Sequence, residues 1–197
     1  MATLNLQVGA NADDGYCRHG AETFNATLGY TYLGSIAADA ETDSFFRFTN
    51  VTIPQGATIV SATLTLTADA NRGADTVRTN VAAEDADNPA APTTYANMVA
   101  RVRTTALVAW DFTTDWVADS EYSPGSLTAV IKEVVDRGGW SSGNALIIYV
   151  DNDASTDVAA RTCYSYDGSA AKAATLDIEY TVPATAVAMD HYRRRRT

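Results

Sequence analysis

The chain has 197 residues, 46% of them hydrophobic, and a formal net charge of -10 at pH 7. That length and apolar content suit one sizeable domain with a buried core. No apolar run approaches the roughly 20 residues that span a bilayer. The acidic balance argues against nucleic acid and anionic membranes as general partners, because both repel a negative surface. The sequence opens MATLNLQVGA, without the basic patch and apolar stretch of an export signal, so assembly in the cytoplasm is expected.

In chain order, Leu4, Leu6 and Val8 alternate and predict a first strand. NADDGYCRHG reads as a polar loop, and LGYTYLG as a strand rich in β-formers. In FFRFTN, Phe46 and Phe48 share a face. IPQG is a turn, with Pro54 presetting φ and Gly56 permitting a positive φ. The following stretch alternates: Val60, Ala62, Leu64, Leu66 and Ala68 are expected inside, Ser61, Thr63, Thr65 and Thr67 outside. TVRTNVAA places Val77, Thr79, Val81 and Ala83 together, and EDADNPAAP is a turn-rich acidic loop. Val108, Trp110 and Phe112 alternate again. SLTAVIKEVVDRGG breaks the period: apolar residues at 127, 130, 131, 134 and 135 have helical spacing. Ser126 is placed to cap that helix and Gly138 to end it, which predicts a helix over about 126–137. ALIIYVDND has the short apolar run of a buried central strand, and Leu176, Ile178 and Tyr180 alternate in the closing strand. The expected architecture is all-β: an antiparallel, jelly-roll-like β-sandwich over residues 1–182 with the amphipathic helix capping an end, and a tail over 183–197.

FFRFTNVTIPQGATIVSATLTLTAD resembles the start of the DNRLRE, or disaggregatase-related, β-sandwich family, which is itself similar to jelly-roll carbohydrate-binding modules. The resemblance runs on through Trp110, the helix Leu127 to Val135, the turn at Gly143 and Asn144, and the closing stretch Leu176 to Thr181. Its motifs are structural, so it speaks to fold more than to function. AEDADNPAAPTTYANMVARVRTTALVAW and GGWSSGNALIIYVDND are similar to stretches of structural proteins of tailed bacteriophages. This second resemblance implies a non-enzymatic virion protein, assembled in the host cytoplasm. Within the particle, a single compact domain with a short docking tail and no long fibre shaft is expected to be a capsid decoration protein that binds the shell, neighbouring virion subunits and copies of itself. A carbohydrate-binding or adhesion module, including tail-associated receptor binding, is the alternative.

The candidate sites divide by chemistry. For catalysis the histidines are His19 and His191, neither in a nucleophile elbow, and no HExxH or phosphate-loop motif occurs. Asp85 and Asp87 have the residue type of a glycosidase pair, but close carboxylates in a loop more often cap turns, so no catalytic residue is assigned. For metal, Glu84, Asp85 and Asp87, with Asp151 and Asp153, offer the hard oxygens that calcium takes, and the resemblance to jelly-roll modules implies a structural calcium. Turn formation accounts for the same residues. Cys17 and Cys163 have no metal-ligand spacing and read as two buried thiols rather than a disulfide. For glycans, stacking faces come from tyrosines at 16, 30, 32, 95, 122, 164 and 166. Trp110 and Trp140 are expected in the core, and Trp116, in a loop, at the surface as the better stacking candidate. The tail ends in His191, Tyr192, Arg193, Arg194, Arg195 and Arg196, a basic run that suits docking on an acidic neighbouring subunit.

Overall fold

A computed structural model describes residues 1–73 and 75–182. The expected tail site, His191 to Arg196, lies outside the described residues.

The elements follow in order as β1 (Ala2–Gln7), a 3-10 turn (Asn11–Asp13), β2 (Asp14–Arg18), β3 (Thr23–Asn25), β4 (Tyr30–Ser35), β5 (Glu41–Val51), β6 (Thr58–Thr67) and β7 (Thr79–Ala83). Then come α1 (Tyr95–Val99), β8 (Val108–Ala109), β9 (Glu121–Tyr122), α2 (Thr128–Val135), β10 (Asn144–Asn152), β11 (Ala160–Tyr164) and β12 (Thr175–Thr181). They build an antiparallel β-sandwich. A four-stranded sheet runs β1-β12-β6-β9, and a larger one runs β11-β4-β5-β10-β7-β8, with β2 pairing β5 and β3 pairing β2. Ala62, Leu64 and Leu66 of β6 and Leu176 and Ile178 of β12 face Phe46, Phe48, Leu146, Ile148 and Val150 of the larger sheet, all essentially without solvent exposure. Burial on this scale, at about 25 cal/mol per Å² of apolar surface, is what drives the two sheets together.

The helix sits at one end of the sandwich. Leu127, Val130, Ile131, Val134 and Val135 are buried, and α2 touches β6 of one sheet and β7 of the other. Its start is one residue later than expected: Leu127 is the N-cap and its amide donates to Ala62 O at 2.9 Å. Ser126 Oγ instead meets Thr128 Oγ1 at 2.7 Å. The helix also ends earlier, at Asp136, whose amide closes on Lys132 O. Gly138 lies in the turn that follows, where Trp140 N bonds Arg137 O at 3.1 Å. Glu133 reaches out of α2 and accepts the amides of Thr105 and Ala106, both at 2.8 Å, fixing the 99–107 segment.

Two strand readings need correction. In β6, Ile59 is buried and Val60 is 45% exposed. Ser61 pairs with Glu179 but Ile59 with Tyr180, so Val60 is the extra residue of a β-bulge and the alternation resets there. The turn before it is as expected, with Gly56 at φ +68. NADDGYCRHG is not a loop, because Asp14 to Arg18 form β2, paired with Phe46 to Thr42 of β5. On its other side β2 pairs β3, and Gly15 permits that close approach: at φ +152, a Cβ there would stand 2.3 Å from Asn25 O.

Candidate functional site

β10 is buried on both faces. Leu146, Ile148 and Val150 point between the sheets, while Ile147 and Tyr149 point outward into a second, smaller apolar cluster with Cys17, Phe45 and Met98. This outer cluster exists because β2 and β3 extend the larger sheet beyond β5, bringing Cys17 and Phe24 beside Phe45, and α1 lies over that side. Thr94 caps α1 by accepting Asn97 N, which holds Met98 and Tyr95 over the sheet.

Beside the cluster the outer face turns polar. The strand period puts Cys17 and then His19 on this side, opposite Asp43, and puts Asp151 two residues beyond Tyr149. Together with Glu41, Val99, Arg101, Arg103 and Asn152, the residues His19, Asp43 and Asp151 line an open groove of ≈ 500 Å³.

The groove is a network of paired charges. Arg103 binds Asp151 through two hydrogen bonds, Nε to Oδ2 at 2.8 Å and Nη2 to Oδ1 at 3.0 Å. Its guanidinium lies 3.4 Å over the Tyr149 ring, a stacked cation that arginine's planar head suits. Burial pushes the Asp151 carboxyl upward, and the Arg103 hydrogen bonds pull it back. Burial opposes the Arg103 charge too, but Asp151 more than offsets it and raises that pKa. Next along, Glu84 accepts from Arg101 at 2.8 Å and from the Tyr149 hydroxyl at 2.9 Å. Burial, then the Glu84 charge, raises the Tyr149 phenol. At the other end His19 bridges Asp43, Nε2 to Oδ2 at 2.7 Å, and Tyr95, Nδ1 to Oη at 3.1 Å. The Asp43 bond raises the imidazole's pKa. Asp43 Oδ1 accepts the Asn152 amide at 2.9 Å, tying the site to β10.

This arrangement has little of a catalyst's poise. Burial pushes the Cys17 thiol up to about 12, the opposite of an activated nucleophile. Both His19 nitrogens are engaged elsewhere. What the groove offers is a rigid, bipolar surface of fixed donors and acceptors.

The expected sites fare differently. Of the five carboxylates expected to hold calcium, Asp85 and Asp87 both bind Arg137, the latter at 2.7 Å from Nε. Glu84 and Asp151 pair with Arg101 and Arg103, and Asp153 sits exposed in the turn after β10. The calcium set is therefore not assembled: four of the five face a cation of the chain's own, and the fifth stands apart. Asn88 Oδ1 accepts the Ala145 amide at 2.8 Å, so this loop is stitched down as turn-forming residues would do.

Trp116 is also corrected. It is 1% exposed and stacks on Tyr122 with centroids 4.3 Å apart and planes 2° from parallel, with Phe112 and Trp110 alongside. It bridges to Arg72 through the backbone, which folds its loop inward. Trp140 is core, as expected, and donates Nε1–H to Ile53 O at 2.9 Å. Tyr16, Tyr32 and Tyr30 do cluster, but each neighbouring pair stands at 86°, so they make no flat platform. Both cysteines are free and buried, as the sequence suggests. They lie on opposite faces of the larger sheet, Cys163 in the main core and Cys17 in the outer cluster.

Sequence reasoning missed Cys17, His19, Asp43 and Arg103. The signal available was Cys-x-His at strand spacing, but only once the segment is read as a strand.

No family model and no curated protein matches the chain. Solved structures similar in part include two that span nearly all of this chain. One is the Clostridium thermocellum xylanase 10B CBM22-1–GH10 fragment complexed with xylohexaose, at 11% identity and TM-score 0.29, covering 93% of this chain but 29% of that one. The other is the Mud crab tombus-like virus structure, at 9% identity and TM-score 0.30, covering 96% of this chain and 86% of that one. At these scores neither likeness carries an argument about function.

Proposed function

We propose that the chain is a non-enzymatic structural protein of a tailed-phage particle, a capsid decoration protein that binds neighbouring virion subunits. The observation that carries the reading is the 99–107 segment beside the groove. It exposes Val99, Val102 and Leu107, by 40%, 66% and 52%, while Arg101 and Arg103 between them are locked to Glu84 and Asp151. Apolar side chains presented around pre-ordered arginines are the composition of a protein–protein interface, and the fixed rotamers lower the entropy lost on docking. The phage resemblance of this same segment points the same way.

The test is mass spectrometry of gradient-purified phage particles from a culture that makes the protein. A fixed copy number per particle is expected, with Val102→Asp and Leu107→Asp lowering incorporation while the melting temperature holds. Absence from washed particles overturns the reading. The purified protein is also expected not to hydrolyse glycans, esters or nucleotides; turnover abolished by Asp85→Ala or Asp87→Ala would count decisively against a structural role. The glycan-binding alternative has lost Trp116 as its stacking face. Saturable binding on a glycan array, abolished by changes in the groove, would restore it.

A further inference from the structure

We propose that Cys17, His19 and Asp43 form a binding site for a transition-metal dication of the zinc type. Cys17 lies on β2 and His19 just past its end, where the His19 amide still bonds Glu41 O of β5 at 2.9 Å, so the two, at i and i+2, share a face; Asp43 is the direct cross-strand partner of Cys17 on β5. One donor atom from each, Sγ, an imidazole nitrogen and a carboxylate oxygen, lie within 4.8 Å of one another. With metal–ligand bonds of about 2.0–2.3 Å, tetrahedral zinc sets its donors roughly 3.5 Å apart, so a modest adjustment suffices, in which the His19–Asp43 side, now 2.7 Å, opens to admit the ion.

Two further features go beyond proximity. The distal atom of each polar ligand is already held: His19 Nδ1 by the Tyr95 hydroxyl at 3.1 Å and Asp43 Oδ1 by the Asn152 amide at 2.9 Å. That is the outer shell which orients metal ligands, and it leaves Nε2 and Oδ2 turned toward each other 2.7 Å apart. The triangle is also open on one side only. Cys17 is closed off by the outer cluster, whereas His19 and Asp43 line the groove. Three protein donors with an open fourth position then leave room for a water or a partner's oxygen.

The donor set selects the ion. A thiolate with an imidazole suits zinc and its neighbours and disfavours calcium and magnesium, which take oxygen shells. Binding releases the thiol proton to solvent and takes His19 as the neutral tautomer with its proton on Nδ1, donated to Tyr95 Oη, so that Nε2 is bare for the metal; the dication's charge offsets the cost of a buried thiolate. The site would staple β2 to β5 in a stretch of little apolar content. It is independent of the virion reading.

The full chain, without a polyhistidine tag and stripped with chelator, is titrated with Zn²⁺ by calorimetry and with Co²⁺ by absorption. One ion per chain is expected, with a rise in melting temperature and a thiolate-to-cobalt charge-transfer band in the near ultraviolet. Cys17→Ser removes the band; His19→Asn keeps the thiol but weakens binding more than about 100-fold, and Tyr95→Phe weakens it about 10-fold. Cys163→Ala, in the other core, leaves the band unchanged. Binding without a sulfur band, a band that survives Cys17→Ser, or no saturable uptake of either ion overturns the site. Should Cys17→Ser fail to fold, His19→Asn and Tyr95→Phe decide the matter.

Discussion

The two faces of the larger sheet are made by the same strands and hold their buried groups by different means. Toward the four-stranded sheet, Phe46, Phe48, Ile148 and Val150 meet other apolar side chains. Toward the outside, Phe45, Ile147 and Tyr149 give way within two residues to Asp43 and Asp151, each matched to its own partner. A carboxylate survives on either face only as far as it is answered. Asp151 faces a bidentate arginine. Asp14, which alternates to the inner side, is 1% exposed, accepts the Tyr166 amide at 2.8 Å through Oδ2, and has no hydrogen-bond partner at Oδ1 among the described residues. The outer face is therefore a place where charges answer one another, and on the inner face the Asp14 charge is suppressed.

The comparison breaks most severely if a charge is forced between the sheets. Val134→Asp should cost more than about 4 kcal/mol, because it buries an unanswered carboxylate against β6 and β7. Denaturant titration checks it, and near-wild-type stability would mean that α2 does not seal the core. Removing an answer on the outer face should cost less. Arg103→Ala is expected to lose about 2–3 kcal/mol, reduced from the fully buried case because both partners are about one-fifth exposed. The double variant Arg103→Met, Asp151→Leu should recover most of that loss, since replacing both members of a buried pair is often neutral.

Asp14 sharpens the contrast through pH. Burial raises its pKa from the ordinary 3.8 to about 7. The folded chain thus holds a proton that the unfolded chain releases. The stability this contributes is full below pH 3.8 and is lost as pH rises through about 7. Within that window the slope reaches at most about 1.4 kcal/mol per pH unit. Asp14→Asn should flatten this fall, measured as melting temperature against pH, and an unchanged profile would show that Asp14 ionises freely. The smallest effects belong to the surface. Lys132→Ala removes an exposed i,i+4 pair with Asp136 and should change stability by less than about 0.5 kcal/mol. Val60→Thr should be equally mild, whereas Ile59→Thr, its buried neighbour, should cost about 1–3 kcal/mol.

That last pair shows where the sequence is readable. From Ala62 to Leu66 only one face is apolar, so the register is fixed by pattern alone. At Ile59 and Val60 both residues are apolar and either fits inside, so the bulge is invisible until β12 supplies the partner. The helix was legible because its apolar spacing cannot serve a strand. β2 was not, because its inward positions carry Asp14 and Tyr16 and its outward ones Gly15 and Cys17, which leaves no alternation to see. The groove was hidden for a related reason. Arg103 and Asp151 are visible as charges, but their meeting depends on β10 lying beside β7 and on the turn that carries Arg103 back to Glu84. Trp116 misled because a loop tryptophan looks exposed until its stacking partner Tyr122 is placed.

The position of β12 has a consequence for how the protein is made. It lies between β1 and β6, with Ala2 opposite Tyr180 and Leu64 opposite Leu176. At about 5–20 residues per second, a ribosome needs on the order of 10–35 s to deliver β12 after β1 has emerged. Through that interval β1 and the apolar side of β6 have no central strand to join them, and the core is open to other chains. Closure is a late, long-range event, slow in the manner of all-β topologies. Synthesis arrested before Thr175 should leave a chain that recruits chaperones or aggregates, and release of Thr181 from the exit tunnel should mark the onset of protease resistance.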